Sequence, residues 1–195
     1  AEMHYNLGVT LQALGQLDAA VKCFEKAIAI KSDYADAYIN LGITLKNLGQ
    51  LDAAVKSYEQ ALAINPNYAK AHNNLGNVLD DLGQLDAAVK SYEQALAINP
   101  DFAEAHNNLG NTLKNLGQLD VSIKSFEQAL AIKPDYAEAH NNLGNALTNT
   151  RQLDAAVKCF EKALAIKPDS AEMHYNLGVT LQALGQLDAA VKCFE

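Results

Sequence analysis

The apolar residues between positions 69 and 102 fall into two runs, and each run has the spacing of a helix. Steps of three and four residues place apolar side chains on one face of an α-helix. The first run ends at Gly83-Gln84 and the second ends before Pro100, two signals that interrupt helices. The members of the runs are Ala71, Leu75, Val78, Leu79 and Leu82, then Leu85, Ala88, Val89, Tyr92, Ala95, Leu96 and Ile98. The pattern predicts two antiparallel helices joined by a short turn.

The same pattern recurs along the whole chain at a fixed interval of 34 residues. The dipeptide Leu-Gly marks each copy, at Leu7-Gly8, Leu41-Gly42, Leu75-Gly76, Leu109-Gly110, Leu143-Gly144 and Leu177-Gly178. Residues 1–195 therefore form a single array with repeats at 1–34, 35–68, 69–102, 103–136 and 137–170 and a partial repeat at 171–195. One helix pair cannot bury its apolar faces alone, so successive pairs must stack. We expect an all-α fold, an α-solenoid of stacked antiparallel helix pairs.

Two local features add detail to the predicted helix pair. The small residues Gly76, Ala88 and Ala95 predict where the paired helices approach each other closely. An Asp followed three residues later by Glu resembles a capping box at the start of the next helix. This spacing occurs at Asp101 with Glu104, Asp135 with Glu138, and Asp169 with Glu172. We therefore expect these three aspartates to be helix N-caps.

Charge and composition exclude several classes of partner. The formal net charge is -8 and Arg151 is the only arginine, so the basic clusters that bind nucleic acid or anionic membranes are missing. No apolar run approaches the roughly 18 residues of a membrane span. The widely spaced Cys23, Cys159 and Cys193 form no metal-ligand pattern and favour a reducing compartment. We expect a cytoplasmic chain that begins inside a longer polypeptide.

The repeat resembles the tetratricopeptide repeat (TPR), whose signature places small and large residues at fixed positions within 34 residues. The matching residues of the third repeat are Leu75, Gly76, Ala88, Tyr92, Ala95 and Pro100. The departures are His or Tyr at the Trp position, Leu11, Leu45 and Leu79 at a Tyr position, Ser32 at the Pro position, and Thr150-Arg151 at a Leu-Gly turn. The resemblance implies a right-handed superhelix whose first helices line a concave groove for proteins or peptides, with no cofactor.

The recurring histidines do not form a metal or catalytic site. They occupy one repeat position, at His4, His72, His106, His140 and His174. Equivalent residues of stacked repeats lie on the order of 10 Å apart, whereas the ligands of one metal ion lie about 2 Å from it. We interpret the histidines as packing residues at the family's aromatic position. The chain also has no nucleophile–base arrangement and no phosphate-binding loop, so we predict no catalytic residue, no metal and no enzyme activity.

Asparagine, unlike histidine, is a candidate for a functional residue. It recurs on one stripe of the first helices, although Asn in a helix interior is roughly half a kcal/mol less favourable than Ala. The position-6 asparagines occupy the sixth residue of every repeat: Asn6, Asn40, Asn74, Asn108, Asn142 and Asn176. The position-9 asparagines lie three residues later: Asn77, Asn111 and Asn145. This stripe resembles the ligand-facing positions of the TPR family. It is most similar to the TPR arm of O-linked N-acetylglucosamine transferases, where an asparagine ladder holds extended peptide backbone.

The chemistry of the amide leaves two interpretations of this ladder open. A primary amide both donates and accepts, so it can pair with a backbone amide whatever the ligand's side chains are. Alternatively, the amides bond neighbouring helices and stiffen the array. The leading functional hypothesis is a non-catalytic scaffold that holds an extended peptide in its concave groove through these asparagines. A substrate-recruiting arm of a larger glycosyltransferase-like enzyme is the alternative.

The two ends of the chain suggest a third, structural hypothesis. Residues 171–195 repeat residues 1–25 without a single difference. Apolar residues such as Met3 and Phe194 lie in helices that no further repeat covers. Unlike surfaces at two ends make a contact that propagates, so we expect weak head-to-tail self-association.

Overall fold

The computed structural model describes residues 1–195, in which twelve α-helices account for 79% of the residues and no strand occurs. The all-α solenoid fold expected from the sequence is confirmed. The helices fall into two compact units, Ala1–Pro100 and Asp101–Glu195. The first unit contains α1 (Glu2–Ala13), α2 (Leu17–Ile30), α3 (Ala35–Asn47), α4 (Leu51–Ile64), α5 (Ala69–Asp81) and α6 (Leu85–Ile98). The second contains α7 (Ala103–Asn115), α8 (Leu119–Ile132), α9 (Ala137–Asn149), α10 (Leu153–Ile166), α11 (Ala171–Ala183) and α12 (Leu187–Phe194).

Each unit is a stack of helix pairs. In the first unit α1 packs on α2, α3 on α4 and α5 on α6, and the pairs are joined where α2 meets α3 and α4 meets α5. The second unit repeats this order from α7 to α12. Every odd-numbered helix is the first helix of its pair and every even-numbered helix the second. The division of the chain into one continuous array with the repeat boundaries given above stays a prediction.

The paired helices approach each other where a glycine faces an aromatic ring. A Cβ atom added at Gly76 would lie 2.6 Å from Cε1 of Tyr92, and one added at Gly144 would lie 2.6 Å from Cε1 of Phe160. Tyr92 and Phe160 are almost completely buried. The close approach predicted at Gly76 is therefore confirmed, and its physical basis is the space that the missing side chain leaves for the ring.

The predicted aspartate caps are wrong. The N-caps of α7, α9 and α11 are Phe102, Tyr136 and Ser170, each one residue after the predicted Asp. Only Ser170 bonds its helix through its side chain, which accepts from the main-chain N of Met173 at 3.5 Å. Because each helix begins at an alanine two residues after the Asp, the Asp side chain stands one position too early to cap the first turn.

The turn at Thr150-Arg151 differs chemically from its counterparts but keeps their conformation. Arg151 adopts φ 62°, whereas glycines such as Gly117 hold this left-handed position at the other turns. Thr150 Oγ1 donates to the main-chain O of Leu147 at 3.0 Å and accepts from Gln152 Nε2 at 3.0 Å. These local hydrogen bonds hold the turn without the glycine.

Candidate peptide-binding face

The position-6 asparagines lie on the first helices, beside the seam between one repeat and the next. Asn6 is exposed and the other five are partly buried. The residue immediately before each of them is buried in four repeats, at Ile39, Asn73, Asn107 and Asn141. The position-9 asparagines are also partly buried. The sequence pattern therefore corresponds to a row of amides at the border between packed and open surface.

In the first unit, Asn40 connects α3 to α1. Its Nδ2 donates to Tyr5 Oη at 3.0 Å and to the main-chain O of Asp36 at 3.0 Å. The Asp36 carboxylate accepts from Tyr68 Oη at 2.8 Å, and this hydrogen bond, with burial, raises the pKa of Tyr68 to about 12. The amide nitrogen of Asn40 is therefore used within the protein.

In the second unit, side-chain amides join α7 to α9 and, separately, α9 to α11. Asn142 Nδ2 donates to Asn107 Oδ1 at 3.0 Å, and Asn176 Nδ2 donates to Asn141 Oδ1 at 3.0 Å. Asn141 Nδ2 then donates to Glu172 Oε1 at 3.1 Å. The structural interpretation thus accounts for the nitrogens of Asn142 and Asn176. Their Oδ1 atoms accept no hydrogen bond from the chain.

Of the three position-9 asparagines, one forms a side-chain hydrogen bond within the chain and two do not. Asn77 Oδ1 accepts from Tyr92 Oη at 2.8 Å. Asn111 and Asn145 make no side-chain hydrogen bond within the chain. Their amides can offer both a donor and an acceptor to a ligand.

Sequence reasoning missed the partners of the ladder. Asn107, Asn141 and Glu172 were not among the candidate residues, yet they receive the ladder's hydrogen bonds. The signal was the dipeptide Asn-Asn, which places a second amide directly before position 6 in the third, fourth and fifth repeats. Each pair consists of a buried amide followed by a partly buried amide.

Charged side chains flank the ladder in both units. Lys46 Nζ lies 3.1 Å from Asp81 Oδ2, between α3 and α5. On α7, burial lowers the pKa of Lys114, and the negative charge of Glu172 opposes that shift. The first helices therefore present amides among charges of both signs.

The histidines have a polar role that was not predicted. Nε2 lies 3.0 Å from the main-chain O of Pro66 in His72, 2.9 Å from that of Pro134 in His140, and 2.8 Å from that of Pro168 in His174. Because a carbonyl only accepts, Nε2 must carry the proton. Each of these rings ties a first helix to the turn before it, in addition to packing.

The chain has no metal-ligand cluster, no membrane-spanning helix and no disulfide. No group of three or more His, Cys, Asp or Glu side chains is arranged to hold a metal ion. No helix is both long enough and apolar enough to cross a membrane. All three cysteines are unpaired, and burial raises the pKa of the Cys159 thiol.

Family models of the tetratricopeptide repeat match the chain almost from end to end. They cover residues 1–66, 57–90, 137–170 and 159–192, and a further TPR repeat model covers 77–117 and 110–150. The chain belongs to the tetratricopeptide repeat family. No curated protein sequence matches this TPR chain significantly.

Several solved structures share the TPR fold of this chain. The crystal structure of MamA is 26% identical, with a TM-score of 0.77 over 85% of this chain and 96% of that one. The structure of YrrB, described as a TPR protein with an unusual peptide-binding site, is 27% identical, with a TM-score of 0.72 over 87% and 88%. PilW, a type IV pilus biogenesis factor, is 22% identical with a TM-score of 0.89 over 98% and 89%, and this similarity concerns the fold alone.

Proposed function

We propose that this TPR chain is a non-catalytic protein-interaction scaffold that holds an extended peptide along its first helices through the position-6 and position-9 asparagines. The observation that carries the proposal is the set of unused amide atoms at equivalent places in successive repeats. In the second unit these are the Oδ1 atoms of Asn142 and Asn176 and the whole amides of Asn111 and Asn145. A regular row of such groups suits the regular amides of a peptide backbone.

The internal hydrogen bonds of the ladder support this proposal. A side chain that is already held in one orientation loses less conformational entropy when a ligand binds. The bonds from Asn142 to Asn107 and from Asn176 to Asn141 hold two ladder amides in this way. The structural and the ligand-binding interpretations are therefore compatible, since they use different atoms of the same amide.

Two similarities are consistent with peptide binding. YrrB, whose structure is similar, carries a peptide-binding site by its description. The position-6 asparagines also resemble the ladder in the arm of O-linked N-acetylglucosamine transferases. If the chain is such a substrate-recruiting arm, the same ladder would hold the substrate peptide and a catalytic domain would be encoded in the adjoining gene sequence.

The ladder is tested by removing the two free amides, with Asn111→Ala and Asn145→Ala combined. A peptide selected from a random 12-residue display library against the wild-type protein serves as the probe. We expect its affinity to fall by roughly 2- to 12-fold for each hydrogen bond lost. The thermal stability should be unchanged or slightly higher, because Ala is the better helix former and neither amide bonds the chain.

The matched control is Gln128→Ala, which removes an exposed amide from the second helix α8. It should leave the affinity unchanged. Peptides that bind the double variant as tightly as the wild type would place the binding site elsewhere.

A second copy of the chain is the second candidate partner. Helix α11 packs on α10, and residues 172–183 of α11 have the sequence of α1. Residues 187–194 have the sequence of residues 153–160 in α10. The α1 helix of one copy can therefore dock on α12 of another through the part of the α11–α10 contact that residues 153–160 provide. Met3 and Phe194, apolar residues of these two helices, are exposed.

Sedimentation over a wide concentration range tests this contact. We expect weak, concentration-dependent association, because the area is small and association costs translational and rotational freedom. Phe194→Glu should abolish it, whereas Ile64→Glu, a change at an exposed apolar residue of α4, should not. A monomer at every concentration would exclude the self-associating solenoid without affecting the peptide proposal.

A further inference from the structure

The amide of Asn176 has a defined hydrogen-bonding direction. A carboxylate oxygen only accepts, so Asn141 must turn its Nδ2 toward Glu172 Oε1, 3.1 Å away. Asn141 Oδ1 therefore faces Asn176 and accepts a hydrogen bond from Asn176 Nδ2 at 3.0 Å. The atom of Asn176 that remains is Oδ1, an acceptor. The direction follows from the chemistry of Glu172, which is two hydrogen bonds away from Asn176.

The first unit has the same direction for an independent reason. Asn40 Nδ2 donates to the main-chain O of Asp36 at 3.0 Å as well as to Tyr5 Oη. A main-chain carbonyl also only accepts, so the amide of Asn40 cannot be reversed. Its Oδ1 is again the atom left over. Asn142 donates in the same direction, to Asn107 Oδ1 at 3.0 Å.

None of these three oxygens is sealed from solvent. The one partly or fully buried side-chain atom that lacks a partner and is closed to solvent is His140 Nδ1. The Oδ1 atoms of Asn40, Asn142 and Asn176 have no partner and are not closed off, so a ligand can reach them. At Asn40, Asn142 and Asn176 position 6 therefore presents an acceptor, while position 9 presents whole amides at Asn111 and Asn145.

The usual distance between packed helices favours one backbone conformation of the ligand. Neighbouring packed helices lie roughly 8–10 Å apart, and α9 and α11 are bridged directly by the bond from Asn176 to Asn141. A polyproline II helix has three residues per turn and brings equivalent N–H groups to one side every ~9.3 Å. A β-strand brings them to one side every ~6.7 Å. Of the two repeats, only that of the polyproline II helix falls within the roughly 8–10 Å between packed helices.

We propose that Asn40, Asn142 and Asn176 act as acceptors and select peptides in the polyproline II conformation that have a backbone N–H at every third residue. This inference rests on the peptide-binding function proposed above. It further requires that the ligand's N–H groups, rather than its carbonyl groups, face position 6.

The test uses the repeating peptide acetyl-(Ala-Pro-Pro)₄-amide, in which only the alanines carry a backbone N–H. The comparison peptide replaces each Ala by lactic acid, which turns the amide into an ester and removes the donor while it keeps the shape. With two acceptors contacted in the second unit, we expect the ester peptide to bind the wild-type protein roughly 5- to 150-fold more weakly. Acetyl-(Pro)₁₂-amide, which has no main-chain N–H, should bind as weakly as the ester.

Two variants of Asn142 show whether this residue binds the peptide as a hydrogen-bond acceptor or as a donor. Asn142→Leu removes the acceptor, so the amide and ester peptides should differ less, by roughly 2- to 12-fold. Asn142→Asp keeps an exposed acceptor and should preserve the full difference. It is compatible with the fold, because Asn107 Nδ2 has no partner and its amide can turn to donate to the new carboxylate.

The outcomes distinguish this inference from the function on which it rests. Equal binding of the amide, ester and oligoproline peptides, or loss of the difference in Asn142→Asp, would overturn the acceptor proposal and leave peptide binding intact. Binding of a library peptide without any binding of acetyl-(Ala-Pro-Pro)₄-amide would overturn the polyproline II register. If no library peptide binds the wild-type protein, the proposed function itself fails.

Discussion

Helices α1 and α11 have the same sequence over residues 2–13 and 172–183 but lie in opposite surroundings. Met3 in α1 is 75% exposed, whereas its counterpart Met173 in α11 is 5% exposed. Leu7 is 48% exposed and Leu177 is 8% exposed. The difference is the preceding helix pair, α9 and α10, which covers this face of α11, while no helix covers that of α1. The amphipathic pattern specifies that a face is apolar, and the neighbouring repeat decides whether it is buried.

On the opposite face of the same two helices the burial is reversed: the ring that packs on α1 is buried and the ring that packs on α11 is exposed. Each helix packs on its own second helix, with ring centroids 6.0 Å apart for Tyr5 and Phe24 and 6.1 Å apart for Tyr175 and Phe194. Phe24 is completely buried because α2 is covered by α3, whereas Phe194 is 51% exposed. The two aromatic pairs thus have the same separation, but the exposure of the phenylalanine differs. A repeat protein of this kind gains its stability from nearest neighbours.

The largest expected effect comes from truncating the methionine that α10 covers. Met173→Ala removes a buried side chain and should cost about 2–5 kcal/mol in the free energy of unfolding. Met3→Ala changes an exposed residue in the same local sequence and should stay within about 0.5 kcal/mol. Urea unfolding followed by circular dichroism measures both. Equal losses would mean that the two helices share one environment in solution.

Much of the fold could be predicted from the sequence because its signals are local and repeated. The spacing of the apolar residues gave the helix pairs, and Gly76 marked the site of close approach to Tyr92. The aspartate caps failed because Asp101, Asp135 and Asp169 stand one residue before the true N-caps. The Asp-to-Glu spacing located the turn before each helix, but the helix begins one residue later than this spacing implies.

The candidate site was predictable only as a row of residues. The spacing of 34 residues identified the position-6 asparagines, but their bonds run to residues 35 positions earlier, from Asn142 to Asn107 and from Asn176 to Asn141. A periodic sequence aligns equivalent positions and does not reveal which unlike positions meet across the seam. The sequence also could not predict which amide atom, Nδ2 or Oδ1, is used within the protein, because this depends on acceptors such as Glu172 and the main-chain O of Asp36.

The smaller expected effect concerns the glycine that faces the ring in each helix. A Cβ at Gly8 would lie 2.7 Å from Cε1 of the fully buried Phe24, and one at Gly178 would lie 2.5 Å from Cε1 of the half-exposed Phe194. Overpacking costs about 1–3 kcal/mol where the neighbours cannot move, while Gly→Ala in a helix gains up to about 1 kcal/mol. Gly8→Ala should therefore destabilise by about 1–2 kcal/mol.

Gly178→Ala should be neutral or stabilising by up to about 1 kcal/mol, because Phe194 can turn toward solvent and relieve the contact. The two variants are compared by the same urea unfolding, with the wild type measured in parallel. Opposite signs for one substitution in one sequence would show that the cost depends on whether the facing ring is covered by another repeat. If Gly178→Ala destabilised as much as Gly8→Ala, the ring at residue 194 would be as confined as the ring at residue 24, and the proposed contrast between the two helices would be wrong.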